Sequence, residues 1–204
     1  LNGLASAVAL GGTHVKRPLN VVVVDARDPR DFPTNAFDGR ASAITAAARR
    51  MFEALGVWDE VAGNAQPMAE IIVSDSASPG ESRPVLLQFG EDDMSGRPQA
   101  HMVENRFLYG AMLNQALASP TITFVTGQKV TGYGFGPGLA SVQLADGQVL
   151  RAPLIVAADG RNSPAREAAG MIPDGATVAT SGFVGCAHPE EITAALEERF
   201  RDQG

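Results

Sequence analysis

The sequence predicts an α/β fold with an antiparallel appendage. Three observations predict it. A glycine-bearing apolar helix leads into a β-branched run that ends in an acid. Further on, apolar helical stripes alternate with short β-like runs. Near residue 147 an Asp-Gly pair separates two strand-like stretches.

Residues 3–10 suit a helix, which Gly11-Gly12 would stop. Leu1 to Leu10 lacks a positively charged leader, so it reads as a helix whose beginning has been cut away rather than as a signal peptide. Residues 13–20 are polar, basic and contain Pro18, which makes a loop. Val21-Val22-Val23-Val24 then ends in Asp25. No polar residue interrupts that run, the pattern of a strand covered on both faces in a parallel sheet. Helix and strand make half of a βαβ unit whose first strand is absent.

Residues 27–39, with Asp28, Pro29, Asp31, Pro33, Asn35 and Gly39, form an irregular loop. From Ala41 onward, Ile44, Ala48, Phe52 (or Met51) and Leu55 mark one helical face, and Gly56 sits at the C′ position. β-like runs follow at 70–74, 85–89 and 121–126, the last after a helix from Asn105 to Ala118. Residues 141–152 read as a hairpin around Asp146-Gly147, a pair with two-residue turn chemistry. Pro153 to Ala158 reads as another apolar strand, ending at Asp159-Gly160. Ser163, Pro164 and Gly170 bracket a short helix.

The 204 residues are 45% hydrophobic and 19% charged, which suits one large domain or two small ones. A net charge of −7 excludes a broad basic surface, and with it a nucleic-acid partner, while the 16 Lys and Arg leave room for small basic pockets. Cys186 is the only cysteine, so an internal disulfide and a multi-cysteine metal site are excluded and a reducing, cytoplasmic setting is expected. His14, His101 and His188 stand at no ligand spacing, and no metal site is expected. No apolar run approaches the ~20 residues of a membrane-spanning helix.

A dinucleotide fold puts a glycine turn at the start of its first helix, where phosphates meet backbone amides, and an acid at the end of its second strand for ribose hydroxyls. Gly3 can be the last glycine of such a turn. Asp25 follows it by 22 positions, close to the ~20 expected. Close helix–strand packing is the other reading of Gly3. Asp38-Gly39-Arg40-Ala41-Ser42 opens the second helix and sets Arg40 beside free amides, where a phosphate or a ring edge could be held. Val103-Glu104-Asn105-Arg106 brings Arg106 to the start of the next helix. Ala157 to Ser163, with Asp159 and Gly160, follows an apolar strand, where α/β sheets meet ligands. Surface ion pairs or helix caps are the alternatives for each of these.

In this order, the motifs resemble the FAD-dependent hydroxylases of the para-hydroxybenzoate hydroxylase fold, over roughly Leu1 to Ile172. FDGRASAITAAARRMFEALGVWDEV (37–61) and IIVSDS (71–76) are similar to the ubiquinone-biosynthesis members. The long connection before Val21 is similar to that of members acting on a 2-polyprenyl-6-methoxyphenol. The resemblance implies a Rossmann-like FAD-binding domain in 1–70 and 101–175, substrate-domain strands in 71–100, and a partial mixed-sheet substrate domain in 176–204. It implies that FAD is held by Gly3, Asp25, Arg40, Arg106, Asp159 and Gly160, with the region around Val130 meeting the adenine through its backbone. NADPH or NADH is implied as transient reductant, and a flavin hydroperoxide formed with O2 as the agent that hydroxylates an aromatic ring. The cofactor carries that chemistry, so no catalytic acid, base or nucleophile is named. The spacing supports neither His101 nor Tyr109.

The implied partner is a lipophilic phenol, met at the inner membrane or in a biosynthetic complex that the protein contacts peripherally. A homo-oligomer is compatible with the same resemblance. The chain also departs from the family. The family's first strand and first two glycines fall before Leu1, and the chain has no Gly-Asp dipeptide where the family has one that contacts the flavin's ribityl and phosphate. The stretch after Thr180 resembles late parts of the substrate domain joined directly to Ala179-Thr180. Two other functions compete. An NAD(P)-dependent dehydrogenase explains Gly3 and Asp25 but gives the two Asp-Gly-Arg segments no role. A non-catalytic flavoprotein-like subunit of a biosynthetic complex is the second.

Overall fold

The computed structural model describes residues 1–74, 85–90 and 98–158. Helix α1, Asn2–Gly11, stops where expected: Gly12 donates its N–H to the Val8 carbonyl, so closely that a Cβ there would collide with that oxygen. Ser119 and Thr121 donate their hydroxyls to the Gly11 carbonyl and satisfy the helix end. The chain then reverses into β1, Val21–Asp25. Ten helical residues and five strand residues both span about 15 Å. Because Gly11 lies against Val21, the start of α1 therefore lies level with Asp25.

Strand β1 pairs in parallel with β7, Ile122–Thr126, from Val21↔Ile122 to Asp25↔Thr126. Helices α1 and α4, Asn105–Ala118, pack together beside these strands, and Val21 and Val23 join their core. Val22, on the other face, is 50% exposed. Cover on both faces of β1 is thus not met among the described residues. β-Branched residues favour an extended backbone whether or not a layer lies over them, so composition does not count layers.

The expected helix from Ala41 is corrected in its first turn. Residues Ala41–Thr45 form strand β2, and helix α2 begins only at Ala46, running to Ala54. β2 pairs antiparallel with β6, Ala100–Glu104, whose other edge takes β3, Ala65–Pro67. Pairing with a distant strand outweighs the local helical spacing, and Ile44 is buried from the strand. Thr45 caps α2 by accepting from the Ala48 N–H at 3.3 Å. Its far end is a Schellman turn. Gly56 (φ +72°) donates to Glu53 and Val57 donates to Phe52, with Val57 and Phe52 both buried. Helix α3, Trp58–Val61, follows and buries Trp58 and Val61.

Two further sheets lie among the described residues. β4, Ile71–Ser74, and β5, Val85–Phe89, form an antiparallel pair. β8, Val130–Gly136, β9, Leu139–Leu144, and β10, Val149–Ala152, form a meander. The expected hairpin is the β9–β10 pair, but four residues, 145–148, lie between its strands rather than two. Gly147 (φ +89°) donates to Leu144, whose own N–H donates to Gln148. Asp146 accepts from Gln148, which favours the longer loop. Pro153 to Ala158 is not a strand. It finds no ladder partner among the described residues, and Leu154 is 66% exposed. The short helix expected after Ser163 and the partial substrate domain at 176–204 lie outside the described residues.

Candidate cofactor site

The parallel strands β1 and β7 point their carboxyl ends the same way, and both helices beside them start there. α1 begins level with Asp25, and the first turns of α4 hold the loop that follows Asp25, Arg106 at the Asn35 carbonyl and Tyr109 at the Pro29 carbonyl. Two positive helix ends therefore face the region beyond Asp25. Leu1, at the N-cap of α1, contributes no side-chain cap. The first amides of the helix suit a pyrophosphate. Asp25 binds the Arg27 N–H through one carboxylate oxygen at 2.9 Å, and no hydrogen bond occupies the other among the described residues. That free oxygen suits a ribose hydroxyl.

Gly3 lies in the first turn of α1. A methyl there would rest 3.4 Å from Ala158 Cβ, an ordinary contact. Packing against Ala158 alone therefore does not require glycine. The same contact brings the 157–158 segment to the start of α1. Asp159 and Gly160 lie outside the described residues. Val130 opens β8 two residues after Gln128, whose N–H donates to the Asp25 carbonyl at 3.3 Å. The backbone near Val130 thus borders the same strand end.

The two arginine motifs meet across the β2–β6 ladder. Ala41 pairs with Glu104, and the Asn105 N–H donates to the Arg40 carbonyl at 3.0 Å. Ser42 Oγ donates to Asn105 Oδ1 at 2.6 Å. Arg40 is not beside the start of the helix that follows it, as the sequence reading had it, because the segment after it is β2 and the α2 amides lie a strand's length away. It sits instead at the end of β2 nearest α4. Its guanidinium bonds Asp38 at 2.6 and 2.9 Å and remains largely exposed. That bond holds the Asp38 carboxyl below its ordinary pKa. Arg106 lies in the first turn of α4 as expected. It bonds Glu104 at 2.6 Å and the Asn35 carbonyl at 3.1 Å. Each arginine is oriented by an acid two residues earlier, which also balances its charge locally.

Sequence reasoning missed the residues that fasten this corner. Tyr109 donates its hydroxyl to the Pro29 carbonyl at 3.0 Å and stacks on Phe32 at 4.1 Å between ring centroids. Burial, and then the charge of Asp25, raise the Tyr109 pKa. Ser42 and Asn105 stood inside the two arginine motifs but were given no role of their own. The available signal was the spacing Arg106, Tyr109, Gly110, which puts three side-chain positions on one helical face. His101, the other residue set aside, is buried in β6 with its ring edge-on to Trp58 and, among the described residues, no partner for Nδ1. It belongs to the core around Trp58.

A family model described as FAD binding domain matches residues 1–200. The ubiquinone hydroxylase UbiL of Rhodospirillum rubrum is 36% identical over 166 residues, covering 79% of this chain and 37% of that protein. The mitochondrial ubiquinone biosynthesis monooxygenase COQ6 of Xenopus tropicalis is 30% identical, covering 83% of this chain and 38% of that one. Among solved structures, p-nitrophenol 4-monooxygenase PnpA from Pseudomonas putida superposes with a TM-score of 0.60 at 16% identity, over 80% of this chain and 39% of that chain, which shows the fold. The chain spans well under half the length of these relatives.

Proposed function

Because this chain belongs to the FAD binding domain family, we propose that the complete protein is an FAD-dependent monooxygenase that hydroxylates the aromatic ring of a polyprenylated phenol in ubiquinone biosynthesis. The observation that carries the reading is the 36% identity to a ubiquinone hydroxylase across four-fifths of the chain. The meeting of the Arg40 and Arg106 motifs beside the Asp25 strand end supports it. When bound, FAD supplies the redox chemistry, with NADPH or NADH as reductant and O2 as oxidant.

The chain's own residues bind and orient. The first amides of α1, approached past Gly3, take the pyrophosphate. Asp25 takes the ribose hydroxyls through its free oxygen, and the backbone near Val130 borders the adenine. Arg40 and Arg106 hold the polar edge of the flavin portion, and Asp159-Gly160 complete the set. The substrate is a lipophilic phenol. Among the described residues no helix is long and apolar enough to cross a membrane, and we place the working protein in the cytoplasm, peripheral to the inner membrane. The dehydrogenase alternative leaves the FAD binding domain match unexplained.

The test is to purify the complete protein, release its cofactor for mass analysis, and assay NAD(P)H-dependent hydroxylation of a polyprenylphenol. FAD and a product heavier by one oxygen are expected. FMN, no flavin, or reductant oxidation that no phenol stimulates would overturn the reading. A Gly3→Ala variant separates the two readings of that glycine. It should keep or raise stability, by up to ~1 kcal/mol from helix propensity, while weakening FAD binding. Unchanged FAD affinity would leave Gly3 as a packing residue.

A further inference from the structure

Residues 26–40 connect β1 to β2 and carry candidate FAD ligands at both margins, Asp25 before and Arg40 at the end. The connection's only regular piece is a 3-10 turn, Pro29–Asp31. A connection of this length with so little structure is uncommon in a compact domain, and it needs an anchor to hold its margins in fixed places. The anchor is one face of α4. Arg106 holds the Asn35 carbonyl at 3.1 Å. Tyr109 holds the Pro29 carbonyl at 3.0 Å and stacks on Phe32 with the rings 26° apart. A Cβ on Gly110 would meet Thr34 Cγ2 at 3.6 Å, so the loop lies against the helix there. Positions 106, 109 and 110 are neighbours on that helix surface. Of the three, Tyr109 contributes both a hydrogen bond and an aromatic contact, and Pro29 is the buried point of the loop.

We propose that Tyr109 is a positioning residue for FAD: it clasps the 26–40 connection onto α4 and so fixes Asp25 and Arg40 where the cofactor meets them. The clasp touches loop backbone and a loop ring, not the cofactor, so Tyr109 acts through the residues it holds. The inference rests on the FAD reading above.

Tyr109→Phe and Tyr109→Leu in the complete protein test it. Apoprotein is titrated with FAD by fluorescence quenching, unfolding temperature is measured without FAD, and trypsin cleavage after Arg27 and Arg30 is timed. Tyr109→Phe keeps the stack and loses one hydrogen bond, so Kd for FAD should rise about fivefold with an unchanged unfolding temperature. Tyr109→Leu loses both contacts. It should raise Kd by more than tenfold, speed cleavage in the loop, and alter the visible spectrum of the bound flavin. If Tyr109→Leu binds FAD as the unaltered protein does, the inference is overturned. It is equally overturned if affinity falls only as far as global stability falls, with cleavage in the loop unchanged. If the unaltered protein binds no FAD, the functional reading fails first, and the two failures are distinct.

Discussion

Strands β5 (Val-Leu-Leu-Gln-Phe) and β6 (Ala-His-Met-Val-Glu) have the same length and opposite fates. β5 is the more apolar, yet all its residues are exposed, with Leu86 at 58%. β6 carries a histidine and a glutamate, yet Ala100, His101 and Val103 are buried, with Val103 at 0%. The difference lies in what surrounds each. β6 has a strand on both edges, α4 beside it and Trp58 of α3 against its His101. β5 has only β4 for a partner among the described residues. Burial follows from cover, and a two-stranded pair supplies none for itself. β6 also ends at Glu104, directly before α4, so the well-covered strand sets Arg106 at the candidate cofactor corner.

The contrast can be pressed from its strong side first. Phe52 is 1% exposed in the cluster that covers β6. Phe52→Ala should cost about 3–5 kcal/mol, read by chemical denaturation, and a loss below ~1 kcal/mol would show that the cover is loose. Gly56→Ala attacks the same cover through the backbone. Its φ of +72° disfavours a side chain, and the new methyl would strike the His14 ring. A cost of about 1–2 kcal/mol for the left-handed conformation is expected, increased by any displacement of His14.

A smaller effect comes from His101. Burial, then the charge of Arg49, lower its pKa below the ordinary 6.5. The unfolded chain then binds the proton more readily than the folded one, so stability is full above pH 6.5 and declines as pH falls from 6.5 toward the folded value. Thermal unfolding between pH 7 and 5 should show this decline, and His101→Leu should flatten it; an equal slope in both proteins would place the titration elsewhere. The smallest effect belongs to β5. Leu86→Ser should change stability by less than ~0.5 kcal/mol, as exposed positions do. A larger loss would mean that the complete protein covers this face.

Much of the fold was written locally. Gly11-Gly12 ended α1, Gly56 ended α2, and the apolar stripe from Asn105 to Ala118 formed a helix with those bounds. Such signals act within a few residues, through backbone freedom and side-chain spacing, so sequence alone carries them. The placement of Gly3, Asp25 and Arg106 was legible for the same reason, each standing at the margin of an element with clear local signals.

Tertiary structure decided the rest. Ala41–Thr45 became a strand because β6, distant in the chain, offered it a ladder. Pro153 to Ala158 did not become one, because no described strand pairs with it. Ser42 met Asn105, and Tyr109 met Pro29, across separations of 63 and 80 residues. No local preference encodes contacts of that kind. They exist only once the chain has closed those loops and its packed core holds the partners in place.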